Sequence, residues 1–223
     1  MISNFCKCMV AALLLCSATT TATAQTAPFH EEIQAFKKQD SLNFPASNQI
    51  LFIGSSSFTR WTDIQDYFPG YPILNRGFGG STLQDLIRYR YEILYAYQPK
   101  QVWIYCGEND FADNDTVGVA TVVNRFTTLF NLIRSKYKNV PVAYVSMKPS
   151  PSRVHLLPKF IEANHRIRQY LDTQTRTTFV DVYQDMLLPD GTVRKDIFLS
   201  DQLHMNARGY AIWKKRIQKV LIK

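Results

Sequence analysis

Residues Ile50–Trp61 read ILFIGSSSFTRW. Four consecutive apolar residues, Ile50–Ile53, run into Gly54 and then into three serines. A short, unbroken apolar run closed by a glycine reads as a strand buried on both faces, the kind found in parallel sheets. Open parallel sheets bind ligands just outside the carboxyl ends of their strands. Ser55, Ser56 and Ser57 therefore stand where chemistry would be placed. Taken alone, a serine-rich turn is usually only a turn, and GSSS does not say which serine acts.

The same pattern recurs downstream. Ile73–Leu74, Val102–Tyr105, Val140–Val145 and Thr178–Val180 read as further buried strands. Helical stripes separate them. Leu83, Leu86, Ile87 and Leu94 predict a helix over 83–97, opened by a capping box of the S-x-x-Q form, Ser81 to Gln84. Val122, Val123, Phe126, Leu129, Phe130 and Ile133 form a second stripe. Phe160, Ala163, Ile167, Tyr170 and Leu171 form a third, and Tyr210, Trp213, Ile217, Val220 and Leu221 a fourth. Residues 25–48 read as a leader helix and a loop. Strand–helix alternation predicts an α/β fold with a five-stranded parallel sheet covered on both faces, a three-layer α/β/α arrangement.

Residues 1–24 read as a separate object. One early cation, Lys7, precedes an apolar segment from Met9 to Cys16 and a small-residue stretch ending Ala22-Thr23-Ala24. That is the layout of a secretory signal, cleaved before Gln25. The apolar segment is too short to span a bilayer. Lipidation at Cys16 is the less favoured alternative, because Leu15 sits where such signals want a small residue. The chain after residue 24 is expected to be one exported domain, periplasmic or secreted, with no stable membrane insertion. Of four cysteines, only Cys106 lies in it, so no internal disulfide can form, and after VWIY it reads as a buried small hydrophobe. The net charge of +8 is spread along the chain apart from Lys214-Lys215-Arg216, which reads as solvated helix faces and not as a nucleic-acid site.

The expected strand ends carry four polar clusters. After the first strand comes Gly54-Ser55-Ser56-Ser57. After the second comes Asn75-Arg76-Gly77-Phe78-Gly79-Gly80-Ser81-Thr82, and after the third Gly107-Glu108-Asn109-Asp110. Beyond the fifth comes Ser200-Asp201-Gln202-Leu203-His204. Acyl transfer needs a hydroxyl nucleophile, a base, a group that orients the base, and donors for an oxyanion. A serine supplies the first, and imidazole, which titrates near neutrality, the second. Asp201, three residues before His204, can accept from the ring. Asn109 offers an amide donor, and a glycine such as Gly80 lets a backbone N–H approach closely. Other readings fit less well. A dinucleotide-binding G-x-G-x-x-G would need glycine at Thr82, and no His or Cys pattern joins Asp201 and His204 to make a metal site. His30, His155 and His165 read as unrelated to these clusters.

Together the clusters resemble the SGNH hydrolase superfamily, the GDSL esterase/lipase family, over nearly the whole chain from Ile50. Gly54-Ser55-Ser56 is similar to the family's G-D-S block, with Ser55 in place of the usual aspartate. Gly80 falls in the second block, Gly107-Glu108-Asn109-Asp110 matches G-x-N-D, and Asp201 with His204 matches D-x-x-H. The resemblance implies a flavodoxin-like fold and ester hydrolysis without cofactor or metal. It also implies Ser56 as nucleophile, His204 as base, Asp201 as orienter, and Ser56, Gly80 and Asn109 as oxyanion donors. The expected substrate is a small-molecule or carbohydrate ester, with carbohydrate O-deacetylation favoured. Lysophospholipase or thioesterase activity, and a non-catalytic carbohydrate binder, are the alternatives. Trp61, Phe78 and Phe111 flank the clusters and are expected either to line a substrate pocket or to be core. The proline-stiffened loop Met147–Arg153 is an expected cleft wall, with Lys148 or Arg153 either holding an anionic group or, the favoured reading, facing water.

Overall fold

The computed structural model describes residues 27–223. The expected signal segment, Cys16 and the cleavage point before Gln25 lie outside them. Five strands form the sheet: β1 (Ile50–Gly54), β2 (Ile73–Gly77), β3 (Gln101–Tyr105), β4 (Val142–Val145) and β5 (Thr177–Val180). All neighbours pair in parallel, in the order β2-β1-β3-β4-β5. This is the flavodoxin-like doubly wound order, and its direction of winding reverses between β1 and β3. Both strands end there in a glycine-bearing turn.

Side chains alternate across each strand, so one sheet carries two cores. Leu51, Ile53, Val102, Ile104, Val142 and Tyr144 face one layer. It is built from α1 (His30–Leu42), α4 (Leu83–Arg88), α6 (Val119–Lys136) and α7 (Leu157–Asp172). In α6 the stripe Val122, Phe126, Leu129, Phe130 and Ile133 is the buried face. Ile50, Phe52, Trp103, Tyr105, Ala143 and Val145 face the opposite layer. There the short helices α2 (Ser56–Thr59) and α3 (Ile64–Tyr67) pack with α8 (Ala207–Ile217). A further short helix, α5 (Glu108–Ala112), follows β3.

Two elements depart from expectation. Asn75-Arg76-Gly77, expected as loop, extends β2, because its register with β1 continues from Phe52–Asn75 to Gly54–Gly77. Arg76 is consequently buried; its guanidinium pairs with Asp40 of α1 and donates to the Tyr97 hydroxyl at 2.7 Å. The helix expected over 83–97 stops at Arg88 and resumes as one widened π turn, Tyr91–Tyr95. Tyr89 at the break is held by its hydroxyl on the Pro28 carbonyl, and the wider turn buries Ile93 and Leu94 together.

Gly54 is the residue on which the β1–β3 junction depends. Its φ is 154°, and a Cβ there would lie 2.1 Å from the Tyr105 carbonyl oxygen. The next amide, Ser55 N–H, donates to that same oxygen at 2.9 Å. Only glycine lets β1 turn this tightly against the end of β3.

Candidate active site

Ser56 is the first residue of α2, just past that turn, and is half-buried. His204 arrives from the far end of the chain in a tight loop. The Leu199 N–H donates to the His204 carbonyl at 2.7 Å, and Gln202, with φ 54°, makes the reversal. Asp201 organises this loop from within. Its Oδ1 accepts the Leu203 and His204 backbone N–H groups at 3.0 and 2.9 Å. Its Oδ2 is thereby left for His204 Nδ1, at 2.6 Å. The other ring nitrogen, Nε2, lies 3.0 Å from Ser56 Oγ. Burial would raise the Asp201 carboxyl, but the hydrogen bonds from the imidazole and the two backbone amides outweigh it and hold it well below the usual range. The carboxylate therefore stays ionised and accepting.

The loop is tied down on both sides. Asn206 caps α8 by accepting from the Arg208 and Gly209 amides at 2.9 and 3.3 Å. One turn on, the Tyr210 hydroxyl donates to the Ser57 carbonyl at 2.9 Å, fastening α8 to the serine turn. Ser55 and Ser57 are both buried. Ser55 Oγ accepts from Asn109 Nδ2 at 2.8 Å, so of the three serines Ser56 alone faces the imidazole.

Gly80 and Asn109 come to the same corner from the ends of β2 and β3. Gly80 is exposed with φ 81°, and among the described residues neither its backbone N–H nor that of Ser56 has a protein acceptor. Asn109 Nδ2 donates to Ser55 Oγ and to the Ser81 carbonyl, the latter at 3.0 Å. Asp110 has a supporting task. It accepts the Leu83 N–H at 2.9 Å and Arg125 at 2.8 Å, locking the β3 turn to the start of α4; burial pushes its carboxyl up despite these donors.

The expected cap shifts by one residue. Ser81 Oγ points into the core toward the Gly54 carbonyl at 3.3 Å, so it cannot cap. The box is Thr82 with Asp85, which exchange hydrogen bonds at 3.3 and 3.0 Å, and Gly80 lies two residues before the cap, not next to it.

Lys148 and Arg153, expected to face water, do not. Lys148 is 1% exposed and the Arg153 side chain 15%. Both converge on buried Glu108, Lys148 Nζ at 3.2 Å and Arg153 at 3.4 Å. The Lys148 backbone N–H, at 2.9 Å, and the Tyr105 hydroxyl also donate to it. Burial alone would raise the Glu108 carboxyl, but the two cations hold it below the ordinary range. Glu108 carried no sequence signal beyond its place in the motif. The Met147–Arg153 loop packs against the His204 loop: the Ser152 N–H donates to the Gln202 carbonyl at 3.1 Å. Trp61, Phe78 and Phe111 are fully buried core residues and line nothing. Cys106 is buried, and burial pushes its thiol well up. His30, His155 and His165 are exposed and outside the site.

The GDSL-like Lipase/Acylhydrolase family model matches residues 52–212, which include Ser56, Gly80, Asn109, Asp201 and His204. The chain belongs to that family. Solved structures share this fold. One is a GDSL-like lipase from Bacteroides thetaiotaomicron, 22% identical, with a TM-score of 0.71, covering 84% of this chain and 95% of its own. Another is a Streptococcus pneumonia protein provisionally described as a platelet activating factor, 21% identical, TM-score 0.74, covering 86% and 92%. A third is an acetyl xylan esterase from Geobacillus stearothermophilus, 15% identical, TM-score 0.62, covering 80% and 98%. No curated protein matches the chain. Among the described residues of this GDSL-like protein, no group of three or more His, Cys, Asp or Glu is placed to hold a metal ion. No described helix is long and apolar enough to cross a membrane.

Proposed function

We propose that this GDSL-like chain is a serine ester hydrolase that works through an acyl-enzyme on Ser56. The observation that carries the reading is the unbroken relay from Asp201 Oδ2 to His204 Nδ1, and from His204 Nε2 to Ser56 Oγ, at 2.6 and 3.0 Å. Asp201 keeps the ring proton on Nδ1, so Nε2 offers its lone pair to the serine hydroxyl. As Ser56 Oγ attacks the ester carbonyl, its proton passes to Nε2. The carbonyl oxygen becomes an oxyanion, received by the Ser56 and Gly80 N–H groups and by the Asn109 amide, which exchanges its hydrogen bond to Ser55 Oγ for one to the oxyanion. His204 returns the proton to the departing alcohol, and water then repeats the sequence to release the acid.

The substrate proposed is an ester of a short acyl group and a larger alcohol, with O-acetylated carbohydrate the favoured class. The hollow between Ser56 and Glu108–Asn109 is narrow. A groove of about 660 Å³, lined by Pro151, Val154, Leu188, Thr192, Val193 and Lys195, opens beside the loop that carries Arg153. An acetyl xylan esterase shares the fold, which is in keeping with this class. On a series of p-nitrophenyl esters, kcat/KM is expected to be highest for acetate and at least about tenfold lower by octanoate. Acetate release from acetylated xylo-oligosaccharides is expected alongside. A preference for long chains would move the reading to a lysophospholipase type, and no turnover of any ester would leave a non-catalytic binder.

Export is proposed from residues 1–24 alone. Mass spectrometry of the protein recovered from an exporting host is expected to find Gln25 as the first residue; a mass retaining residues 1–24 would reject the cleavage.

A further inference from the structure

Glu108, Lys148 and Arg153 form a buried charge cluster that the relay above does not use. Lys148 and Glu108 neutralise one another, which leaves the Arg153 charge in surplus. Its guanidinium does not point into solvent. It donates through one nitrogen to Asn109 Oδ1 at 2.8 Å, and through the other it leans on Glu108.

The Asn109 amide is thus held from both ends by groups that each have only one role. Arginine can only donate, and the Ser81 carbonyl can only accept. An asparagine amide has two ends of nearly equal shape, and its partners decide which faces inward. With Arg153 on Oδ1 and the Ser81 carbonyl on Nδ2, the amide has one orientation, with one N–H on Ser81 and the other on Ser55 Oγ, beside Ser56 in sequence. A cation bound at the oxygen also polarises the amide and makes its N–H a stronger donor, more so out of water.

We propose that Arg153 is the positioning residue of the oxyanion amide: it fixes Asn109 with Nδ2 on the serine-turn side, at Ser55 Oγ and the Ser81 carbonyl, and through that amide sets its charge against the oxyanion. The inference rests on Asn109 being an oxyanion donor. Arg153 itself touches neither the ester nor Ser56.

The test is a double-mutant cycle on p-nitrophenyl acetate with the purified protein: unsubstituted chain, Arg153→Met, Asn109→Ala, and both. Removing one oxyanion donor costs about 10²–10³ in kcat, so Asn109→Ala is expected to fall by that order. Arg153→Met is expected to lower kcat by about 10–100-fold with KM changed less than about threefold, and to cost less than about twofold more in the Asn109→Ala background. A loss of equal size in both backgrounds, a loss seen in KM, or no loss overturns the positioning role. If Arg153→Met does not fold, Arg153→Lys keeps the charge beside Glu108 and lacks the planar fork. It is expected to show a smaller kcat loss that vanishes in the Asn109→Ala background, and persistence of that loss overturns the proposal. Full activity of Asn109→Ala would instead remove Asn109 from the oxyanion site, and the inference with it, while leaving Ser56 and His204 untouched.

Discussion

Ser56→Ala is expected to lower kcat for p-nitrophenyl acetate by about 10⁶-fold, the loss seen when the nucleophile of a hydrolytic relay is removed. In the proposed mechanism Ser56 Oγ becomes covalently bonded to the acyl group, and no neighbour is placed to replace it. Ser55 Oγ is turned toward Asn109 Nδ2, and Ser57 is buried with its carbonyl bound to Tyr210. Ser55→Ala is therefore expected to reduce turnover by no more than about tenfold, through loss of one acceptor on the Asn109 amide. Ser57→Ala is expected to leave the chemistry intact. Burst-phase kinetics with each variant separate these outcomes: the burst disappears only in Ser56→Ala. If Ser55→Ala were the inactive variant, the assignment of the nucleophile would be displaced by one residue.

The second large effect belongs to Asp201→Asn, expected to lower kcat by about 10³–10⁴-fold with the fold retained. The size follows from the proton inventory. Asp201 Oδ1 is committed to two backbone amides, so an asparagine keeps its carbonyl oxygen there and turns its NH₂ toward His204 Nδ1. A donor at that place forces Nδ1 to accept, which puts the ring proton on Nε2. An Nε2 that already carries a proton cannot take one from Ser56. The Asp201 side chain is 43% exposed, so water can compete for Nδ1, which places the loss at or below that of a fully buried orienter. NMR of the ring nitrogens distinguishes the two tautomers directly. A variant with full activity, or with the proton still on Nδ1, would dismiss the orienting role.

The sheet was legible because each strand holds a short apolar stretch ahead of a glycine or polar residue, a pattern local enough to read without contacts; in β2 that stretch is only Ile73–Leu74, so its polar end looked like loop. The order β2-β1-β3-β4-β5 was not legible, since no local pattern encodes which strands become neighbours; the family resemblance implied only a flavodoxin-like fold. Ser56, Gly80, Asn109, Asp201 and His204 were legible as motif positions. The Ser81 cap was misplaced because Ser81 and Thr82 are both good N-caps, each with a side chain three residues on that can answer. The contact that decides between them, Ser81 to Gly54, spans 27 residues. Lys148 and Arg153 were read as solvated for a like reason. Charges in a loop usually are, and the carboxylate that draws them inward, Glu108, lies 40 and 45 residues away in sequence. The three aromatics beside the motifs were ambiguous for want of any signal that separates a pocket wall from a core.

The tie between Tyr210 and Ser57 also sets the order in which this molecule becomes competent. Ser56 and His204 are 148 residues apart, and they meet only when α8 docks on the serine turn. Such distant closures are slow to form. Ser56, Gly80, Asn109 and all five strands precede His204 in the chain. Recovery of esterase activity after denaturation therefore times the final docking event, while recovery of helical and sheet circular dichroism times everything before it.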